Sequence, residues 1–231
     1  MRLYLMVLGT MTSTQAPVPG YLIQTDAGDN VLVDTGYRPS GNPDEPISVA
    51  GEQELLQQLG AIGVRPGDVR YVVCSHFDPD HAGNHDLFPD SEFVVQREHY
   101  EAARAGSIPR LGLARQHWDA PGLRYKLIDG ESTLLPGIEL VESGGHVPGH
   151  QSVLVRLPNT GPVLLAIDAI PMAIAMDPGQ RPVFPFDLDE AALRDSTGKL
   201  VALAAKENAL IIHGHDAAQW ATLHIAPGYY D

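Results

Sequence analysis

The stretch Ser75-His76-Phe77-Asp78-Pro79-Asp80-His81-Ala82-Gly83 places two histidines and two aspartates within six residues, directly after the near-continuous apolar run Val69 to Cys74. A run of that length and composition is the signature of a strand covered on both faces. The four polar side chains that follow it are all metal-ligand types. In an extended segment alternate residues project the same way, so positions 76, 78 and 80 can converge while Phe77 and Pro79 point elsewhere. His81 then reaches another side as the chain turns through Ala82-Gly83.

Working outward, three more ligand-type sites stand at strand ends, where rigid scaffolds place functional groups. Gly145-His146-Val147-Pro148-Gly149-His150 precedes the run Ser152 to Leu157, Asp168 ends the run Val163 to Ile167, and His215 lies just beyond Leu210 to Ile212. A carboxylate buried at the end of such a run needs a partner, and a divalent cation is a sufficient one. Asp34, in "VLVDTG", reads as a turn residue or as one that orients ligands. His85, His99, His117 and His224 read as surface or packing residues. His146 and His213 each neighbour a better candidate, and His146 is assigned to the loop or to an orienting role.

The remaining elements are those of an α/β chain. Leu3 to Leu8 reads as a first strand, and Tyr21 to Thr25 with Asn30 to Asp34 as a hairpin around a Gly/Asp turn. Glu52 to Leu59 is an amphipathic helix with Gly60 as its C-cap. Phe93 to Val95 and Ile138 to Glu142 are strands, and Glu98 to Ala105 is a helix. A longer helix begins near Asp187 or Asp189 and runs to about Lys206. Residues 38–50 and 171–186 are proline-rich loops, and 106–124 is irregular. Nothing marks a linker, so residues 1–231 read as a single domain built on two sheets or one large mixed sheet.

With 29 acidic against 15 basic residues the net charge is −14, which argues against nucleic acid and anionic membranes as partners. The one cysteine, Cys74, lies in an apolar run and rules out a disulfide framework; it reads as a core residue in a reducing, cytoplasmic setting. The apolar start, Leu3 to Leu8, is short for a signal peptide, and no apolar run approaches membrane-spanning length.

The order and spacing of the polar sites resemble the metallo-β-lactamase superfamily, whose pattern is His-x-His-x-Asp-His, a distant His, a bridging Asp and a final His. The chain is closest in pattern to the N-acyl-homoserine lactonase branch, through "YLIQTDAGDNVLVDTG", "SHFDPDHAGN", "VVQREHYEAA", "LLPGIELVESGGHVPGHQSVLV", "VLLAIDA" and the final "GHD". The resemblance runs from about Tyr21 to Asp216. It implies an αββα sandwich, with two mixed sheets face to face and helices outside. It implies one metal on His76, Asp78 and His150 and a second on Asp80, His81 and His215, with Asp168 and a hydroxide bridging them. The implied activity is hydrolysis of a lactone or related ester, with Asp80 shuttling the proton.

Two departures stand out. The family pattern has His where this chain has Asp78. Three aspartates and one hydroxide neutralise two divalent cations, so the centre should be less Lewis-acidic, and replacing Asp78 by His should raise that acidity. The harder oxygen ligand admits iron or manganese beside zinc. After Asp168 the segment Ala169 to Ile174 also lacks the substrate-binding tyrosine of the branch. Loops 38–50, 106–122 and 171–186 are expected to wall the pocket. Met172, Ile174, Met176, Phe184 and Phe186 make the third loop fit either an acyl chain or a second subunit in a homodimer. The competing readings are a thioesterase or phosphodiesterase of the same fold, an iron-dependent oxidoreductase, and a metal-poor binding protein.

Overall fold

A computed structural model describes every residue of the chain except Pro43. β1 (Arg2–Met11), β2 (Pro17–Gln24), β3 (Asn30–Val33), β4 (Ile47–Ser48), β5 (Val69–Val73), β6 (Glu92–Gln96) and β7 (Arg124–Ile128) form one sheet, in the order β4-β1-β2-β3-β5-β6-β7. β8 (Ser132–Leu135), β9 (Ile138–Glu142), β10 (Gln151–Leu157), β11 (Gly161–Ile167) and β12 (Leu210–His213) form the second, in the order β12-β11-β10-β9-β8. β1 to β3 run antiparallel, whereas β3, β5, β6 and β7 are mutually parallel, as are β11 and β12.

The period-two alternation of the strands explains the layering. Leu3, Leu5, Tyr21, Ile23, Val33 and Val73 of the first sheet pack against Ile138, Leu140, Val153, Val155 and Leu165 of the second. Their alternate neighbours face outward. Leu22, Leu32, Val72 and Cys74 lie under α1 (Leu55–Ile62) and α3 (Arg97–Ala105), through Leu55, Leu59 and Ala103. Leu154, Leu164 and Ala166 lie under α5 (Glu190–Glu207), through Leu200 and Ala204. The result is the four-layer αββα sandwich that the resemblance implies. Cys74 is a buried core residue.

Local differences from the sequence reading have physical causes. α1 runs past Gly60 and closes on Gly63, which takes the left-handed conformation at φ 82°. Residues 106–124 are not irregular: a 3-10 turn (Pro109–Ala114) and α4 (Arg115–Trp118) occupy them, and the Trp118 ring stacks on Phe77 at 4.8 Å. β7 and β8 escape the sequence reading because they are edge strands rich in polar residues, as edges exposed to solvent tend to be. β2 begins at Pro17, earlier than read. β3 pairs only with Tyr21 to Gln24, so Pro17 and Pro19 lie beyond that ladder. Among the described residues no helix is long and apolar enough to cross a membrane.

Candidate metal centre

The polar side chains gather where parallel strands end. Asp34 follows β3, His76 follows β5, Asp168 follows β11 and His215 follows β12, which places them at the carboxyl edge common to both sheets. The segment 76–81 is not extended throughout, as the alternation argument required. Asp78 is the extended N-cap of a helical turn, α2 (Pro79–Ala82), whose first position is proline. His76 and Asp78 therefore stand before the turn, and Asp80 and His81 within it. That break divides the motif between two halves of the centre.

Backbone strain marks the site. Asp34 and the β-branched Ile167 both take positive φ, 58° and 52°, a conformation such residues adopt only when the surroundings impose it. Asp34 is fully buried and accepts from Ser75 N at 2.8 Å, with its other oxygen 2.9 Å from His81 Nδ1. Ile167 lies at a register shift of β11 against β12 and turns Asp168 into the site. The two sheets are stitched here by Gln151, which donates to the carbonyls of Cys74 and Val94 at 2.8 and 3.0 Å.

Three clusters offer converging donor atoms within 4.8 Å of one another: His76, His81 and Asp168; His76, Asp78 and His146; and Asp80, His81 and His215. Asp168 faces both halves. Its Oδ1 is 2.9 Å from His215 Nε2 and 3.6 Å from His81 Nε2, while its Oδ2 is 3.3 Å from His146 Nε2 and 3.7 Å from His76 Nε2. The Nε2 atoms of His76, His81 and His150 are buried without a hydrogen-bond partner. Orphaned donors and acceptors of this kind are costly, and a cation coordinated among them removes the cost. Burial opposes charge on His81, but Asp80, Asp168 and Asp34 outweigh it and hold its pKa well above the usual histidine range. Burial likewise opposes charge on His146, and Asp168, Asp187 and Asp78 push it up to about 9. Surroundings that attract a proton so strongly suit a divalent cation.

His150, expected among the ligands, is buried beside the cluster, its ring centroid 5.2 Å from His76 and its Nδ1 2.9 Å from Ser143 Oγ. It joins none of the three converging groups. Two residues enter that the sequence reading placed elsewhere. His146, assigned to the loop or to an orienting role, has its Nε2 3.0 Å from Asp78 Oδ2. Arg110, in the stretch read as irregular, donates from Nε to Asp78 Oδ1 at 2.7 Å. His146 carried a signal in its spacing of four residues before His150; Arg110 carried none. His99 is a buried strut: Phe77 N donates to its Nε2 at 2.8 Å, and its Nδ1 donates to Pro148 O at 2.9 Å. Burial pushes its pKa down to about 3, in keeping with the neutral ring those two bonds require.

The metallo-beta-lactamase superfamily profile matches residues 14–215. The chain belongs to that superfamily. It is 36% identical over 245 residues to the N-acyl homoserine lactonase AttM of Azorhizobium caulinodans, covering 96% of this chain and 90% of that protein. It is 33% identical to the N-acyl homoserine lactonase AiiA of Bacillus thuringiensis subsp. kurstaki, covering 92% and 86%. Among solved structures, an N-acyl homoserine lactone hydrolase with N-hexanoyl-L-homoserine bound at its catalytic metal centre superposes with TM-score 0.86 at 28% identity, over 99% of this chain and 98% of that one. The whole fold, not a fragment of it, is shared.

Proposed function

We propose that this chain is a metal-dependent lactonase that opens N-acyl-homoserine lactones or close relatives by hydrolysing the ring ester. One observation carries the reading: orphaned imidazole nitrogens and a two-faced aspartate converge at the strand ends of a chain that superposes end to end on an N-acyl homoserine lactone hydrolase with its product bound at a catalytic metal centre. His76, Asp78 and His146, whose donor atoms converge, would hold one cation and Asp80, His81 and His215 the other, with Asp168 shared. Divalent cations there supply an acidified water and a Lewis acid for the ester carbonyl. Zinc is the first candidate, and the oxygen-rich set admits iron or manganese.

The chain's own residues perform the rest. Asp34 fixes the His81 ring, and Asp168 sets the separation of the two halves by presenting one oxygen to each. Asp80, whose side chain is 14% exposed, is the most accessible carboxylate of the clusters and is placed to carry a proton to the leaving alkoxide. A cavity of about 180 Å³ lined by Leu8, Tyr37, Val49, Leu55 and Leu87 lies alongside. Its Thr35 wall donates to His81 O at 3.1 Å, so an acyl chain seated there lies next to α2. A cytoplasmic setting accords with the single buried thiol.

The test is ring opening of N-hexanoyl-L-homoserine lactone by metal-loaded protein, followed through the acid it releases. We expect turnover that a chelator abolishes and added metal restores. Absence of ring opening with every acyl-homoserine lactone and simple γ-lactone tried would overturn the assignment.

A further inference from the structure

Almost every polar side chain at the centre already has its task. The carboxylates of Asp34, Asp78, Asp80 and Asp168 only accept, and the Nδ1 atoms of His76, His81, His146 and His215 meet Ser75 Oγ, Asp34, Asp187 and Pro17 O. That arrangement leaves each Nε2 to a cation. His150 is fully buried, and Ala169 to Ile174 offers no side-chain donor. Among the described residues in contact with the clusters, only Arg110 keeps an N–H that a ligand can reach.

We propose that Arg110 is a substrate-contacting residue: a terminal nitrogen of its guanidinium donates to the carbonyl oxygen of the lactone under attack, and then to the carboxylate of the opened product. The inference rests on the lactonase reading above and names the group that grips the reacting carbonyl. Nε donates to Asp78 Oδ1 at 2.7 Å, which fixes the guanidinium beside the first metal position, formed by His76, Asp78 and His146. Nη2 stands 3.4 Å from His146 O, a weak bond, and Nη1 meets no acceptor among the described residues. The Arg110 side chain is 20% exposed, against 9% for Asp78. Leu113, three residues on and eclipsed with Arg110 in the 3-10 turn, is 75% exposed, so that side of the turn opens to solvent.

The turn is anchored well enough to aim a charged group. Leu111 is fully buried, and Trp118 Nε1 donates to its carbonyl at 2.8 Å. The Trp118 ring stacks on Phe77, the residue between His76 and Asp78. On the other side, the loop that carries His146 is pinned to the start of α5. Leu188 N and Asp189 N donate to Gly145 O at 3.0 and 2.9 Å, and Ser196 Oγ donates to Gly144 O at 2.6 Å. Chemistry supplies the reason for a guanidinium. As water adds to the carbonyl carbon, negative charge collects on the carbonyl oxygen. The ring C–O bond then breaks, the alkoxide takes a proton, and that oxygen becomes half of a carboxylate. A fixed N–H beside it binds more strongly at each stage and so favours the transition state over the substrate. The competing role for Arg110 is to neutralise Asp78 and touch no ligand.

The experiment uses the full zinc-loaded chain as wild type, Arg110→Gln and Arg110→Lys. Each is brought to the wild-type metal content by elemental analysis and checked for folding by far-ultraviolet circular dichroism. Two readouts are taken: hydrolysis of N-hexanoyl-L-homoserine lactone, and calorimetric binding of its ring-opened acid, N-hexanoyl-L-homoserine. For Arg110→Gln we expect kcat to fall about 100-fold with KM changed less than about 3-fold, and the acid to bind about 10-fold more weakly. Arg110→Lys keeps the charge and a donor without the planar fork, and should fall between Arg110→Gln and wild type on both readouts. Variants at full metal content whose kcat and acid affinity both stay within about 2-fold of wild type would overturn the proposal and leave the lactonase reading standing. A wild type that opens no lactone, yet binds the acid about 10-fold more tightly than Arg110→Gln, would do the reverse.

Discussion

At the scale of single residues, Asp78 is defined by Arg110. Sequence alone suggests that Asp78→His raises the Lewis acidity of the centre. The structure changes that expectation, because removing the carboxylate leaves the Arg110 guanidinium facing the cations with its partner gone. We expect Asp78→His alone to weaken the first metal position by about tenfold, and Arg110→Gln added to it to recover most of the loss. Chelator competition on the four proteins of the cycle measures the coupling. Gly214 is a second instance. A Cβ there would stand 2.8 Å from Ile167 O and 3.1 Å from Asp168 Oδ1, contacts that require the strand end to move. Gly214→Ala should cost about 1–3 kcal/mol in urea unfolding and lower the affinity for metal at the Asp80, His81 and His215 cluster.

At the scale of elements, the site depends on loops being tied to one another. His99, at the start of α3, links the 75–83 segment to the 146–150 loop through Phe77 N and Pro148 O. His99→Ala leaves a buried N–H without a partner, and about 1–3 kcal/mol of stability should be lost in chemical denaturation. α5 shows how far helix boundaries could be read. Asp189 caps it and accepts from Ala192 N at 3.0 Å, as one of the two sequence candidates suggests, so Asp189→Ala should cost about 1 kcal/mol. The other candidate, Asp187, holds His146 instead. Both are aspartates near a helix start, and local sequence cannot distinguish them.

At the scale of the molecule, two buried neutral histidines make stability depend on pH. His85 and His99 are both pushed down to about 3, in each case chiefly by burial, with a neighbouring histidine, His117 or His76, adding to it. Their folded pKa values lie below the unfolded value of about 6.5, so the unfolded chain binds protons that the folded chain refuses. Their contribution is complete above that unfolded value and fades toward pH 3, each at up to about 1.4 kcal/mol per pH unit. His85 packs between the rings of Phe77 and Phe93, so His85→Phe should fold. Its urea midpoint should fall less between pH 7 and pH 5 than that of the wild type. Metal should stabilise by mass action, adding about 2.7 kcal/mol at a hundred times its Kd, and chelator should lower the melting temperature accordingly.

The resemblance to the superfamily implied the sandwich, which local pattern left open between two sheets and one mixed sheet. The sequence by itself determined the α/β class, the strand ends that carry the polar residues, and the burial of Cys74. Each follows from local pattern: period-two apolar runs, turn residues, and ligand types placed where strands stop. Tertiary structure alone decided the company that Asp78 keeps. Arg110 and His146 lie 32 and 68 positions from it. Such pairings depend on a 3-10 turn and on a loop pinned to α5, neither of which leaves a periodic trace in the chain. The helical turn at Pro79 was likewise out of reach, because the alternation argument assumes an extended backbone and a proline after an N-cap ends one.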